Sequence, residues 1–456
     1  MRRIILVLGL GAAVAAAQTA TDNADSNVLA KIRVEGMRHA QAMDTLFWLS
    51  DALGPRLTGS PEVAAAGQWT LQRLRSYGLK NVHEERWPFD GKGWSLEAFH
   101  ASMRAGDQPQ IMPLIGYPKA WSGSTNGDVT AEVIRPQINS AADFAKYAGQ
   151  LRGKIVLTQP AREVRMLEGP IILRYGPKEI QEMMTPDQPR AARAGRGGAG
   201  GGRGAAAAFR AQLMRFYEDQ GVVALFDRGG DSDMASGGSN LSWQQQHTDG
   251  GTVFVQGVTP RDGTALPQVT LAVEHYNRMA RLVDHNIPVT VNLEVRARFT
   301  DQPRGGGGFN IVGEIPGSDL ASQVVMLGAH FDSWQGATGA TDNGTGSSAM
   351  IEAMRILETL GLKPRRTIRI GLWCGEEEGE LGSRAYVAAH RADMDKMAAY
   401  YNLDNGTGKI RGVWMQDNTA VAPIFKAWGA QLADLGVDLF SPRAVQQTDH
   451  TSFDAA

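Results

Sequence analysis

The chain has 456 residues, 43% of them hydrophobic, a formal net charge of -2 and a single cysteine, Cys374. That length supplies about two to three domains of ~100–200 residues, each with a core of its own. The near-neutral balance excludes a general electrostatic pull toward nucleic acid or anionic lipid, and one cysteine excludes an internal disulfide.

The first stretch, "MRRIILVLGLGAAVAAAQ", combines two arginines, an apolar run from Ile4 to Val14 and a small-residue A-x-A ending at Ala17. These are the parts of a secretory signal peptide over 1–17, which predicts export to the periplasm or the extracellular space. The run is too short to span a bilayer, and no later stretch reaches the ~18 apolar residues of a membrane span. Without Arg2 and Arg3 the basic count falls to 44 against 48 acids, a charge of about -4.

From Val28 to Leu79 the pattern is helical, broken at "GPRLTGSPE", where Pro61 opens a fresh helix in its first turn. We assign residues 24–105 to the helical opening of one domain and 106–295 to a β-rich insert. The insert carries short runs such as "DVTAEVI", "GKIVLT" and "GVVALFD". Within it, residues 189–208 are almost wholly Gly, Ala and Arg, bury little, and are expected to be a disordered loop. They lack the interleaved aromatics of a nucleic-acid arm, so no nucleic-acid partner is expected.

From Gly308 strands and helices alternate: "FNIVGEI", "QVVMLGA", the helix "GTGSSAMIEAMRILETLGL", "RTIRIGLWC", the helix "SRAYVAAHRADM" and "AAYYNLD". Met350, Ala353, Met354, Leu357 and Leu360 fall on one face of the first helix, and Gly361 closes it. The alternation predicts an α/β fold over 296–456, a mostly parallel mixed sheet flanked by helices, with its site at the carboxyl ends of the strands.

The chemistry-bearing residues fall at those ends. His330 and Asp332 follow one strand, Glu376, Glu377 and Glu378 the next, and Asp404 a third; Asp342 sits in the Gly-rich loop "GATGATDNGTG". Each alone reads as a turn histidine, a solvated acid or an N-cap. Together they supply mixed imidazole and carboxylate ligands that suit zinc, and a bridging carboxylate would let them hold two cations. Asp342, on its glycine loop, is the candidate bridge. Asp332, two residues after His330, can orient the imidazole. Adjacent acids in "GEEEG" cannot point at one atom, so one is expected to bind metal while its neighbour takes a proton from water. Cys374 reads as a small buried strand residue rather than a nucleophile, and Trp334 and Trp373 as packing or pocket wall.

With these segments in hand, the sequence resembles the co-catalytic di-zinc exopeptidases of metallopeptidase family twenty-eight, and looks closest to their carboxypeptidase Q branch. The match runs through "GAHFDSWQGATGATDNGTG", "LWCGEEEGELGSRAYV" and "NLDNG", and extends to "GPRLTGS", "KAWSGSTNGDV" and "LPQVTLAVEHYNRMARLV". The resemblance implies the zinc aminopeptidase (phosphorylase/hydrolase-like) fold with a protease-associated insert. It implies two zinc ions, with His330, Asp342 and Asp404 on one and Asp342 and Glu377 on the other. Glu376 would be the general base and Asp332 the orienting acid. The implied substrates are short peptides or dipeptides, cleaved in aminopeptidase, carboxypeptidase or dipeptidase fashion; oligomeric state, a homodimer included, stays open. The rival reading is a catalytically silent binding protein on the same fold.

The closing run "TDHTSFDAA" contains His450, which spacing nominates as a ligand for the second zinc. In the family this run matches an "(S/T)D-H-x-x-F" segment lining the pocket, and the last ligand is a later histidine. The expectation is therefore a catalytic domain incomplete at its C-terminus, a weakened second zinc site, and His450 as a pocket residue or surrogate ligand.

Overall fold

The computed structural model describes residues 25–161, 176–186, 200–229, 255, 257–258, 266–302, 307–404 and 408–454. The leader expected at 1–17 lies outside them. Among the described residues, no helix is long and apolar enough to cross a membrane.

The chain opens with the helix Ser26–Arg38, whose N-cap Asp25 accepts from the amides of Asn27 and Val28. A second opening helix, Pro61–Ser76, starts as expected: the Ser60 hydroxyl accepts the Val63 N–H, and Pro61 occupies the first turn. Its buried face, Val63, Ala66, Leu71 and Leu74, packs on a five-stranded sheet. Across that sheet the strands run Lys80–Trp87, Gly308–Ile315, Arg366–Trp373, Leu320–His330 and Met397–Asn402.

The first two pairings are antiparallel and the last two parallel. The parallel half positions the site. Its register sets His330 opposite Trp373 and Gly328 opposite Asn402, so three strands end at one edge of the sheet. Ile311, Met326, Ala329, Ile370 and Leu372 fill the interior of the sheet and are fully buried.

The helix Thr345–Thr359 covers this sheet, and Gly361, at φ +61°, closes it as expected. Its buried side is wider than the apolar stripe, because Ile351 and Met354 are buried together with Glu352 and Arg355. The opening helix lies over the polar side. Arg355 donates to Glu352 at 2.8 Å and to Glu35 at 2.7 Å, and the Gln41 amide completes Glu352 at 3.1 Å. Burying these charges is tolerable because each is paired and hydrogen-bonded.

A second sheet of eight strands lies between the helical opening and the parallel strands in sequence. Its order is Met112–Pro113, Gly93–Ala105, Val289–Thr300, Val129–Ile134, Ile155–Leu157, Ala224–Asp227, Gln268–Leu271 and Gly116–Pro118. The chain enters on Gly93–Ala105 and leaves on Val289–Thr300, and these strands pair antiparallel along their length, from Gly93 against Thr300 to Ala105 against Val289. This ribbon ends at the boundary expected at 106 and runs through the one expected at 295.

The loop expected over 189–208 differs within the described part. From Gly200 the chain is helical, through to Asp219. The four alanines 205–208 have the highest helix propensity. Phe216 and Phe209 then stack on Phe144, with centroids 4.5 and 6.2 Å apart, which supplies burial that composition alone does not show.

Gly382 marks the tightest contact between sheet and helix. A Cβ there would stand 2.2 Å from the Cys374 carbonyl oxygen and 2.3 Å from Asn310 Oδ1, where the helix Leu381–Ala389 leaves the sheet edge. Gly382→Ala is expected to destabilise the protein by about 1–3 kcal/mol, read as a lowered midpoint of denaturant unfolding.

Candidate active site

The parallel register delivers His330 to the edge, and two neighbouring carboxylates meet its ring. Nε2 of His330 lies 2.9 Å from Asp342 Oδ1 and 3.3 Å from Asp404 Oδ1. Nδ1 donates to the backbone carbonyl of Asp332 at 3.1 Å, which turns Nε2 toward the carboxylates. Donor atoms of His330, Asp342 and Asp404 all lie within 4.8 Å of one another, the one such group among the described residues.

The loop that carries Asp342 is pinned at both sides. Asn343 donates to the Leu403 carbonyl at 2.9 Å and accepts the Gly346 N–H at 3.0 Å, while Ser347 donates to the His330 carbonyl at 2.7 Å. Gly339, at φ +66°, permits the turn, because a Cβ there would meet Ser333 at 2.4 Å. His330 is 1% exposed, Asp404 10% and Asp342 68%, so the group opens to solvent on the Asp342 side.

Asp332 is fully buried, and its carboxylate does more than face the imidazole. Oδ1 is 3.6 Å from His330 Nδ1, longer than the backbone contact. Its close partners are instead the Thr58 hydroxyl at 3.0 Å and the amides of Glu376 and Glu377 at 3.3 and 3.4 Å. Thr58 also accepts the Gly375 N–H at 2.9 Å. Asp332 thus anchors the loop of the candidate base, a job its spacing from His330 did not reveal.

Arg56 performs the neighbouring task without a carboxylate partner. Wholly buried, it donates to the carbonyls of Phe331 at 2.7 Å, Leu49 at 2.5 Å, Thr338 at 3.3 Å and Gly339 at 3.0 Å. Burial pushes its guanidinium down to about 10, opposed by the charge of Asp332.

Glu376 and Glu377 both lie beside this group. Burial first, then the nearby Asp404 and Asp449, pushes Glu376 up to about 10; burial and Asp342 push Glu377 up to about 8. His330 moves the other way: burial opposes its charge, but Asp404, Asp332 and Asp342 outweigh burial and raise it well above 6.5. Such a surplus of buried carboxylates around one imidazole fits a divalent cation, which would favour their ionised forms as the Nε2 proton leaves.

His450 stands apart from the three donors. It is buried at the start of the helix His450–Asp454, and its Nε2 donates to the Val445 carbonyl at 2.9 Å. Cys374 is free and buried, its thiol pushed well up by burial and by Asp332, which suits packing. Trp373 is core. Trp334 packs edge-on to Trp121 at 6.1 Å, and Gln335 donates to the Pro118 carbonyl at 3.2 Å, joining the strand-end segment to the second sheet.

A histidine and two aspartates converge beside glutamates at a parallel strand edge, a donor set that suits a divalent cation. Residues 310–456 match Peptidase family M28. Carboxypeptidase Q of Mus musculus is 27% identical over 404 residues, 88% of this chain and 72% of that protein. Among solved structures, a peptidase M28 precursor from Shewanella amazonensis SB2B superposes with a TM-score of 0.61 at 23% identity, over 94% of this chain and 85% of that one. The zinc aminopeptidase BSAP of Bacillus subtilis does so at 0.52 and 18% identity, over 91% of this chain and 81% of that one.

Arg56→Met removes the donors of four carbonyls in one step and is expected to destabilise the protein by at least about 2 kcal/mol, visible in thermal or denaturant unfolding. Arg56→Lys, a single ammonium in place of a fork, is expected to recover only part of the loss.

Proposed function

We propose that the protein is a zinc-dependent exopeptidase that hydrolyses peptide bonds of short peptides or dipeptides. The observation that carries this reading is the meeting of His330 Nε2, Asp342 and Asp404 at the carboxyl edge of the parallel strands. His330, Asp342 and Asp404 would hold one zinc ion, and Asp342 together with Glu377 would serve a second. Bound zinc supplies a Lewis acid that lowers the pKa of water and polarises a carbonyl oxygen.

The protein's own groups do the rest. Glu376, beside the cation site, takes a proton from the attacking water and later delivers it to the leaving amine as the C–N bond breaks. Asp332 accepts the Glu376 amide and Thr58 the Gly375 amide, and together they hold the base against His330. Asp342, the exposed ligand, lies on the side from which a substrate enters. The second sheet, read as a protease-associated domain, shapes that approach through Trp121, Trp334 and Gln335. His450 serves as a pocket residue. The signal-like start supports export as the setting of the activity.

Glu376→Gln is expected to retain zinc and to lose about 10²- to 10⁴-fold in turnover of a panel of dipeptides and aminoacyl anilides. Full turnover by this variant would rule out the base assignment. Asp342→Ala is expected to lose zinc and activity together, measured by metal analysis and the same panel. Chelator treatment of the wild type is expected to abolish hydrolysis and lower the melting temperature, and zinc to restore both.

A further inference from the structure

Around the candidate base the chain turns on three positive-φ residues, Gly375 at +80°, Gly379 at +109° and Glu380 at +60°. Two are glycines, which adopt this backbone freely. The third is a glutamate, whose Cβ disfavours it, so the reason for its presence lies in the side chain. Glu380 directly precedes the helix Leu381–Ala389 and is only 9% exposed.

Its backbone and its carboxylate face different neighbours. The Glu380 N–H donates to the Glu376 carbonyl at 2.9 Å, beside the Gly379 N–H at 2.8 Å. The carboxylate Oε2 accepts Arg384 Nη2 at 2.6 Å and the Thr451 hydroxyl at 3.1 Å. Arg384 is 62% exposed, so solvent screens that pair, and the buried partner is Thr451. Thr451 follows His450 on the short helix His450–Asp454. A second contact lies alongside: Ser383 donates to the Glu380 carbonyl at 3.2 Å and meets Ser452 at 2.9 Å. Asp332 and Thr58 hold the same loop by the amides of Gly375, Glu376 and Glu377, and Glu380 holds it by the Glu376 carbonyl. One residue thus ties the backbone of the candidate base to the segment carrying His450, across a sequence separation of 71.

We propose that Glu380 is a positioning residue for Glu376: its carboxylate, anchored on Thr451, fixes the carbonyl side of the base loop against the segment that carries His450. This rests on the reading of Glu376 as the general base and His450 as a pocket residue. Glycine at this position would supply the turn but not the oxygen that reaches Thr451. Misplacing a reacting group by about 1 Å lowers a rate by up to about 100-fold, so the loss is expected in kcat and not in zinc content.

The test is kcat and KM of the zinc-loaded full chain on the dipeptide and anilide panel, with zinc content and the denaturant midpoint measured alongside. Glu380→Gly relieves the backbone and deletes the carboxylate; it is expected to fold and hold zinc like the wild type but to lose about 10- to 100-fold in kcat. Glu380→Gln keeps an acceptor oxygen for Thr451 and is expected to recover most of that loss. Thr451→Val cuts the same contact from the other side. It is expected to lower kcat in the same direction, and it carries the test if Glu380→Gly does not fold. Wild-type kcat in Glu380→Gly or in Thr451→Val, or a Glu380→Gln chain as slow as Glu380→Gly, would overturn the positioning role alone. Wild-type turnover by Glu376→Gln would overturn the base reading itself, and this role with it.

Discussion

One buried carboxylate ties the site together. Asp332 has no exposure to solvent, and its carboxylate draws hydrogen-bond donors from two distant parts of the chain. The Thr58 hydroxyl comes from the opening loop, and the amides of Glu376 and Glu377 come from the end of the next strand. His330 is two residues away on the same strand end. The spacing between imidazole and candidate base is therefore set by a single group rather than by two independently placed loops.

The sheet makes that economy work. Parallel pairing of Leu320–His330 with both its neighbours brings His330, Trp373 and the residues after Asn402 to one edge without any long-range steering by side chains. Around it, charge is managed by two different devices. Arg56 satisfies neutral carbonyls and needs no acid, whereas Arg355, on the outer helix, is clasped between Glu35 and Glu352. The first fixes the loop that carries Asp342; the second fastens the opening helix to the domain.

Much of this arrangement was legible in the linear sequence. Strand–helix alternation placed the acids at strand ends, Ser60 with Pro61 announced a helix start, and Gly361 a helix stop, because each is a local rule acting over a few residues. What escaped was non-local. Thr58 meets Asp332 across a sequence separation of 274, and Thr448 meets Asn402 across 46; neither threonine differs locally from an ordinary turn or loop residue. The burial of Glu352 and Arg355 is likewise invisible locally, because the helix that covers them is over 300 positions away. The Gly/Ala/Arg stretch was misjudged from Gly200 because stacking on Phe144 cannot be seen in composition.

Gly328 and Gly371 contribute by what they lack. A Cβ on Gly328 would fall 2.1 Å from the Tyr400 hydroxyl, and one on Gly371 would fall 2.4 Å from the Trp373 ring. The two glycines are moulds for these two aromatic residues, whose indole N–H and hydroxyl meet at 2.8 Å. Sequence drift at this edge is then constrained in pairs: a larger residue at either glycine has to arrive with a smaller partner ring. Such a change would also remove the hydrogen bond between the indole and the hydroxyl.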